Sequence, residues 1–141
     1  MTERPWRDLG LGLPIGIAIG LGFALVIGLI PDAAFADTGW RTLLYAAQVP
    51  AGLVFVLVFH LLARSVGADR HRLLIAAVAG ALAFDGVAIG FFPELYGQPA
   101  ESMVWVASTL LWAFAWIVVA ELVVQARGLT RTAVMAASDA V

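Results

Sequence analysis

Four apolar runs dominate the chain, at residues 9–30, 43–63, 73–92 and 103–125. Each is close to or longer than the roughly 20 residues that cross about 30 Å of hydrocarbon as a helix. They stop at Pro31, at Arg64, at Pro93 and just before Arg127. Strand-like alternation is absent, so a transmembrane barrel is not expected. With 62% hydrophobic and only 13% charged residues in 141, and a mean hydropathy of +0.97, too little polar surface exists for a water-soluble domain. The expected fold class is therefore all-α, an integral membrane antiparallel four-helix bundle. It forms a single transmembrane domain over residues 1–141, with a short tail at 128–141 that either extends the last helix or frays in water. The lipid bilayer is the expected partner, and a homo-oligomer or a larger membrane complex are the candidate assemblies.

Orientation follows from the arginines. The chain has eight and no lysine. Arg4, Arg7, Arg64, Arg70, Arg72, Arg127 and Arg131 fall on one side of the predicted threading, and Arg41 alone on the other. The second side carries Asp32, Asp37, Glu94 and Glu101 instead. Basic loops stay cytoplasmic, which puts both termini inside and predicts a multi-pass protein of the cytoplasmic (inner) membrane. Trp40, Tyr45, Tyr96 and Trp105 then lie near the outer boundary, as an aromatic belt. A rival reading takes "AFAD" at 34–37 as a signal-peptide cleavage site. Against it, the preceding apolar run is longer than the 7 to 15 residues of a signal h-region.

Gly12, Gly16, Gly20, Ala24 and Gly28 recur at every fourth position of the first run. Such a ridge lets another backbone approach closely, either in a second copy or in a helix of the same chain. Pro14 is expected one turn inside the start of its helix, where a missing N–H costs little. Pro50 is expected to kink the second helix or mark its beginning.

Asp85 lies about 10 Å below the outer end of its predicted helix, at about 1.5 Å per residue. An ionised, unpaired carboxylate there costs at least about 2.5 to 3.5 kcal/mol, so it is expected inside the bundle and protonated, hydrogen-bonded or paired. Gln48, Ser108 and Thr109 fall at similar depth and are expected to join it in one polar layer. Arg41 is the candidate counter-ion, reaching inward. The layer is either a proton-titrating transport or ligand site, or a hydrogen-bonded clamp between helices. Near the cytoplasmic face, His60 and Glu121 are expected to pair, as a proton relay or as interfacial groups reaching water. His71 reads as a loop residue near lipid headgroups. Trp105, Trp112 and Trp116 share a stripe with Thr109, and are either a wall for a flat apolar ligand or packing bulk.

Familiar catalytic and metal-binding patterns are missing. No cysteine is present, which excludes disulfides, thiolate metal sites, iron–sulfur clusters and a cysteine nucleophile. "DTG" at 37–39 is too short a match to an aspartic-protease triplet to use. No HExxH, phosphate-cradling loop or serine–histidine–acid set occurs. No cofactor, metal or nucleic acid is expected, and no enzyme activity. The expectation is a small non-enzymatic membrane protein, an accessory or scaffold subunit. The alternative is a proton-linked carrier or a hydrophobic-ligand binder working through Asp85.

Residues 83–121 carry a resemblance. Asp85, Gly86, Phe92, Pro93, Tyr96, Leu110, Leu111, Trp112, Ala113 and Phe114 resemble the pattern of a domain-of-unknown-function family of small four-helix prokaryotic membrane proteins. The resemblance implies four membrane helices and assigns no activity.

Overall fold

The computed structural model describes the backbone of residues 5–138 and the side chains of residues 6–127. It is all-helical, with no strand among the described residues. The elements are α1 (Pro5–Leu29), a single turn α2 (Ala33–Ala36), α3 (Thr38–Val66), α4 (Arg70–Phe91) and α5 (Met103–Ser138). Two 3₁₀ turns, Pro93–Tyr96 and Ala100–Ser102, lie between α4 and α5. Four of these helices are long and apolar enough to cross a membrane, which makes this a multi-pass membrane protein by length and composition.

The boundaries exceed those expected from hydropathy. α1 begins at Pro5, so Pro14 lies well inside it rather than in its first turn. α3 begins at Thr38 and runs through Pro50, which therefore does not mark its start. The backbone of the 128–141 tail continues α5 through Ser138. Its side chains, with those of Arg4 and Arg131, lie outside the described residues. Charged caps explain the longer helices. Asp37, the first residue of "DTG", accepts from the Trp40 N–H at 2.9 Å and starts α3. Asp69 accepts from the Arg72 N–H at 2.8 Å and starts α4. Gly67, in the left-handed region at φ 62°, ends α3.

The closest helix pair is α1 with α4. Gly12, Gly16 and Gly20 are buried against Ala76, Ala77 and Phe84 respectively. Gly80 answers from α4 by lying against the Leu13 backbone. The contacts advance along both helices together, so α1 and α4 lie side by side in the same direction. A β-carbon on Gly16 would overlap the Ala77 carbonyl oxygen, and one on Gly80 would overlap that of Leu13. Ala24 is fully buried further along the ridge. Gly28 ends it against the Tyr96 backbone, which it meets in the turn after α4 and not in a helix. α3 and α5 form the second pair, with Gly52 against the backbone of Trp116 and Ile117. Their contacts too run in one direction, from Tyr45–Ser108 through Gly52–Trp116 to His60–Glu121.

Polar contacts lock the two ends of this arrangement. Arg7 donates to the Val66 carbonyl at 2.7 Å, and buried Asp8 accepts from the Asp69 N–H at 3.3 Å. Both tie the start of α1 to the α3–α4 turn. At the other end, the Gln98 amide donates to the carbonyls of Ile27 (2.9 Å) and Ile30 (2.8 Å), closing the C-terminus of α1. Ser102 donates to Asp32, joining the turn before α5 to the α1–α2 corner. Gly97 sits at φ 60°, and a β-carbon there would lie 3.2 Å from the Gly28 Cα. Only glycine satisfies both demands.

Alanine at Gly16 or at Gly80 is expected to lower the stability of the folded protein by about 1 to 3 kcal/mol, through forced separation of α1 and α4. Gly22 has nothing within 4 Å of its would-be β-carbon, so Gly22→Ala is expected to be neutral or stabilising. Thermal unfolding followed by helicity in detergent distinguishes the three variants.

Candidate functional site

Two buried carboxyl groups stand at opposite ends of the helix pairs. Asp85 is 4% exposed on α4, and Glu121 is 1% exposed on α5. Asp85 accepts a hydrogen bond of 2.7 Å from the Tyr96 hydroxyl. Tyr96 belongs to the turn after its own helix and is fully buried, between α1 and α4. Burial foremost, and then the bond to Asp85, pushes the Tyr96 phenol well above its ordinary range. It therefore keeps its proton and remains the donor. The second Asp85 carboxyl oxygen has no partner among the described residues.

Asp85, Gln48, Ser108, Thr109 and Arg41 do not form one polar layer. Arg41 is not the counter-ion of Asp85. Its guanidinium donates to the Phe35 carbonyl at 2.8 Å and to the Thr38 hydroxyl at 3.3 Å. It also lies 3.8 Å from the ring centroid of Trp105, a cation–π contact. The reason is local. α3 begins five residues earlier than its apolar run, which places Arg41 in its first turn beside the α2 carbonyl instead of over the bundle interior. Ser108 pairs with the Tyr45 hydroxyl at 2.5 Å. Gln48 and Thr109 face each other's helices across a cavity, and Gln48 Oε1 and Thr109 Oγ1 are both buried without a partner.

The tryptophan stripe does not wall an internal pocket. Trp112 is 38% exposed and Trp105 is 39% exposed. Trp112 donates its ring N–H to the Tyr45 carbonyl at 3.0 Å, and its ring packs against Tyr45 at 5.6 Å and edge-on to Trp116 at 5.7 Å. A helix of α5's length buries only one stripe, and that stripe here is Val106, Thr109, Leu110, Phe114 and Ile117. The tryptophans sit on its flank.

At the other end, His60 and Glu121 do meet. His60 Nε2 donates to Glu121 Oε2 at 2.8 Å. His71, expected among headgroups, comes instead to within 3.4 Å of the other carboxylate oxygen. The Gln125 amide donates to His71 Nδ1 at 2.5 Å. The cluster thus joins α3, α4 and α5. Sequence reasoning put His71 in a loop and did not single out Gln125, because the contact between them joins two different helices. The signal available was the Asp69 cap, which puts His71 in the first turn of α4 rather than in a loop. Among the described residues, no three histidine or acidic side chains converge as a metal site.

Removing the Tyr96 hydroxyl leaves Asp85 buried without its one donor. Tyr96→Phe is expected to cost about 1 to 3 kcal/mol of stability, read as a lowered midpoint of thermal unfolding. Glu121→Ala deprives His60 of its acceptor, with an expected loss of similar size. Alanine at the exposed Glu94 serves as the unperturbed control. Compared with protein-family models, with curated proteins and with solved structures, the chain matches none.

Proposed function

We propose that this chain is a non-enzymatic protein of the cytoplasmic membrane, an accessory or scaffold subunit. Its four helices thread up and down as an antiparallel bundle with both termini in the cytoplasm. The arginine distribution supports this threading, since seven of the eight lie at residues flanking one set of helix ends. Contacts among those ends agree with it: Arg7 with Val66, Asp8 with Asp69, and His60 and His71 with Glu121.

The observation that carries the scaffold reading over the carrier is the placement of Asp85. Its carboxyl accepts from Tyr96 in the turn that closes α4, and it lines neither the apolar hollow bordered by Pro31, Trp40 and Leu43 nor the one beside Gln48 and Thr109. An intramembrane acid of a carrier must reach the path of its cargo. This one fixes a turn. Tyr96, held from within by Asp85, presents its backbone to Gly28 of α1, so the acid supports the α1–α4 contact.

Reconstitution in proteoliposomes tests the reading. The wild-type protein is expected to leave an imposed pH gradient as stable as protein-free liposomes do, and Asp85→Asn to change thermal stability alone. A gradient dissipated by the wild type and preserved by a well-folded Asp85→Asn variant would instead establish the carrier. Threading is tested in parallel, because the native chain has no cysteine. Single cysteines at Ser65 and at Glu94 are expected to label from opposite faces of the membrane.

A further inference from the structure

Arg41, half-buried at the start of α3, carries a charge that no ion pair offsets. Its guanidinium lies 3.8 Å from the Trp105 ring centroid. One N–H goes to the Phe35 carbonyl at 2.8 Å and one to the Thr38 hydroxyl at 3.3 Å. A guanidinium has five such donors, and the others meet no acceptor among the described residues. Nor does any carboxylate of those residues come within 4 Å of it. Two acids stand one helical turn nearer the helix starts. Asp37, the cap of α3, precedes Arg41 by four residues, and exposed Glu101 precedes Trp105 by four.

Away from Arg41 in the other direction, rings continue along the seam between α3 and α5. Tyr45 packs against Trp112 at 5.6 Å, and Trp112 against Trp116 at 5.7 Å. Trp105 and Trp112 remain 39% and 38% exposed. The Tyr45 hydroxyl is already paired with Ser108, and the Trp112 N–H with the Tyr45 carbonyl. What these two rings offer outward is therefore apolar surface. From Trp105 to Trp116, α5 advances about 16 Å at about 1.5 Å per residue. One leaflet's share of about 30 Å of hydrocarbon is about 15 Å.

We infer that this seam binds one phospholipid with a primary-ammonium head, of the ethanolamine kind. The order of chemistry along the seam is acid, guanidinium, rings, and that of the lipid is ammonium, phosphate, acyl chain. The phosphate accepts from the remaining N–H groups of Arg41 and offsets its charge. The ammonium donates to the carboxylates of Asp37 and Glu101, and one acyl chain lies along the rings for the depth of a leaflet. A choline head has no N–H to give the acids. A glycerol head leaves them facing a net negative lipid, which like charges disfavour. Free phosphate lacks the chain that the rings take. The site does not involve Asp85 and stands apart from the scaffold reading.

The test uses the full-length protein with Trp6→Phe and Trp40→Phe, both exposed positions, so that fluorescence comes from Trp105, Trp112 and Trp116. It is reconstituted in phosphatidylcholine vesicles with rising fractions of a lipid brominated in its acyl chains, which quenches indole on contact. Brominated phosphatidylethanolamine is expected to reach half-maximal quenching at a mole fraction about two- to five-fold below that of brominated phosphatidylcholine or phosphatidylglycerol. Arg41→Gln is expected to abolish this preference. Glu101→Gln, an exposed change that leaves the fold intact, is expected to reduce it. Phosphatidylcholine or phosphatidylglycerol quenching at as low a fraction as phosphatidylethanolamine overturns the proposal, and that comparison needs no variant of Arg41. So does an unaltered preference in the Glu101→Gln protein, or in an Arg41→Gln protein of native helicity and thermal midpoint.

Discussion

The arrangement depends on how closely α1 can approach α4. Between helices in lipid there is no hydrophobic drive, because the surrounding tails are as apolar as leucine. Association then rests on dispersion, which falls off within a fraction of an ångström of lost contact. Gly12, Gly16 and Gly20 on one helix and Gly80 on the other bring backbone against backbone, with Ala76 and Ala77 filling the remaining space. The side chains that would keep these helices apart are simply absent along one stripe. Ile17, Leu21 and Leu25, on the outer face of α1, are exposed.

This contact sets the rest of the layout. α1 is committed to α4, and α3 finds its close partner in α5, where Gly52 lies against the Trp116 backbone. The pairs touch each other through larger side chains, Phe23 with Phe55 at 6.3 Å and Phe23 with Phe114 at 6.3 Å. Bulky rings bridging two tight pairs fill space less completely than glycine faces do, and the cavity beside Gln48 and Thr109 is the result. The corner segments repeat one solution at the two helix ends that carry it. Ile27-Gly28-Leu29-Ile30-Pro31-Asp32 and Ile89-Gly90-Phe91-Phe92-Pro93-Glu94 each end a helix at a glycine-aromatic or glycine-aliphatic turn before proline, where the helix cannot continue.

Charge is handled by burial in company. Asp85 and Glu121 are the two acids at or below 4% exposure on the membrane-length helices beyond α1, and each is met by groups from a different segment. Tyr96 reaches Asp85 from the turn beyond α4, and His60 reaches Glu121 from α3. Where a partner comes from another segment, the bond does more than offset desolvation: it fixes where that segment sits. Asp8, accepting from the Asp69 N–H, does the same for the N-terminal end of α1.

Much of this was legible in the sequence, and the division has a physical cause. Four runs of the right length, bounded by proline and arginine, announced four membrane-length helices because hydrophobic thickness sets one scale for every span. The fourfold glycine spacing of α1 announced a close-packing stripe because helical periodicity converts spacing into a face. His60 and Glu121 were paired by matching depth alone. The same depth argument failed for Arg41 and for Gln48, Ser108 and Thr109, because depth says nothing about rotation around a helix axis. Rotation is decided by which faces pack: the α1–α4 glycine contact and the α3–α5 contact turned Asp85 toward Tyr96, Ser108 toward Tyr45, and Gln48 and Thr109 toward the space between. Sequence by itself determined which segments are helices and which of their residues are too small or too polar to face lipid. Only the tertiary structure decided which of those residues meet, since that depends on the mutual orientation of helices, and no single helix encodes it.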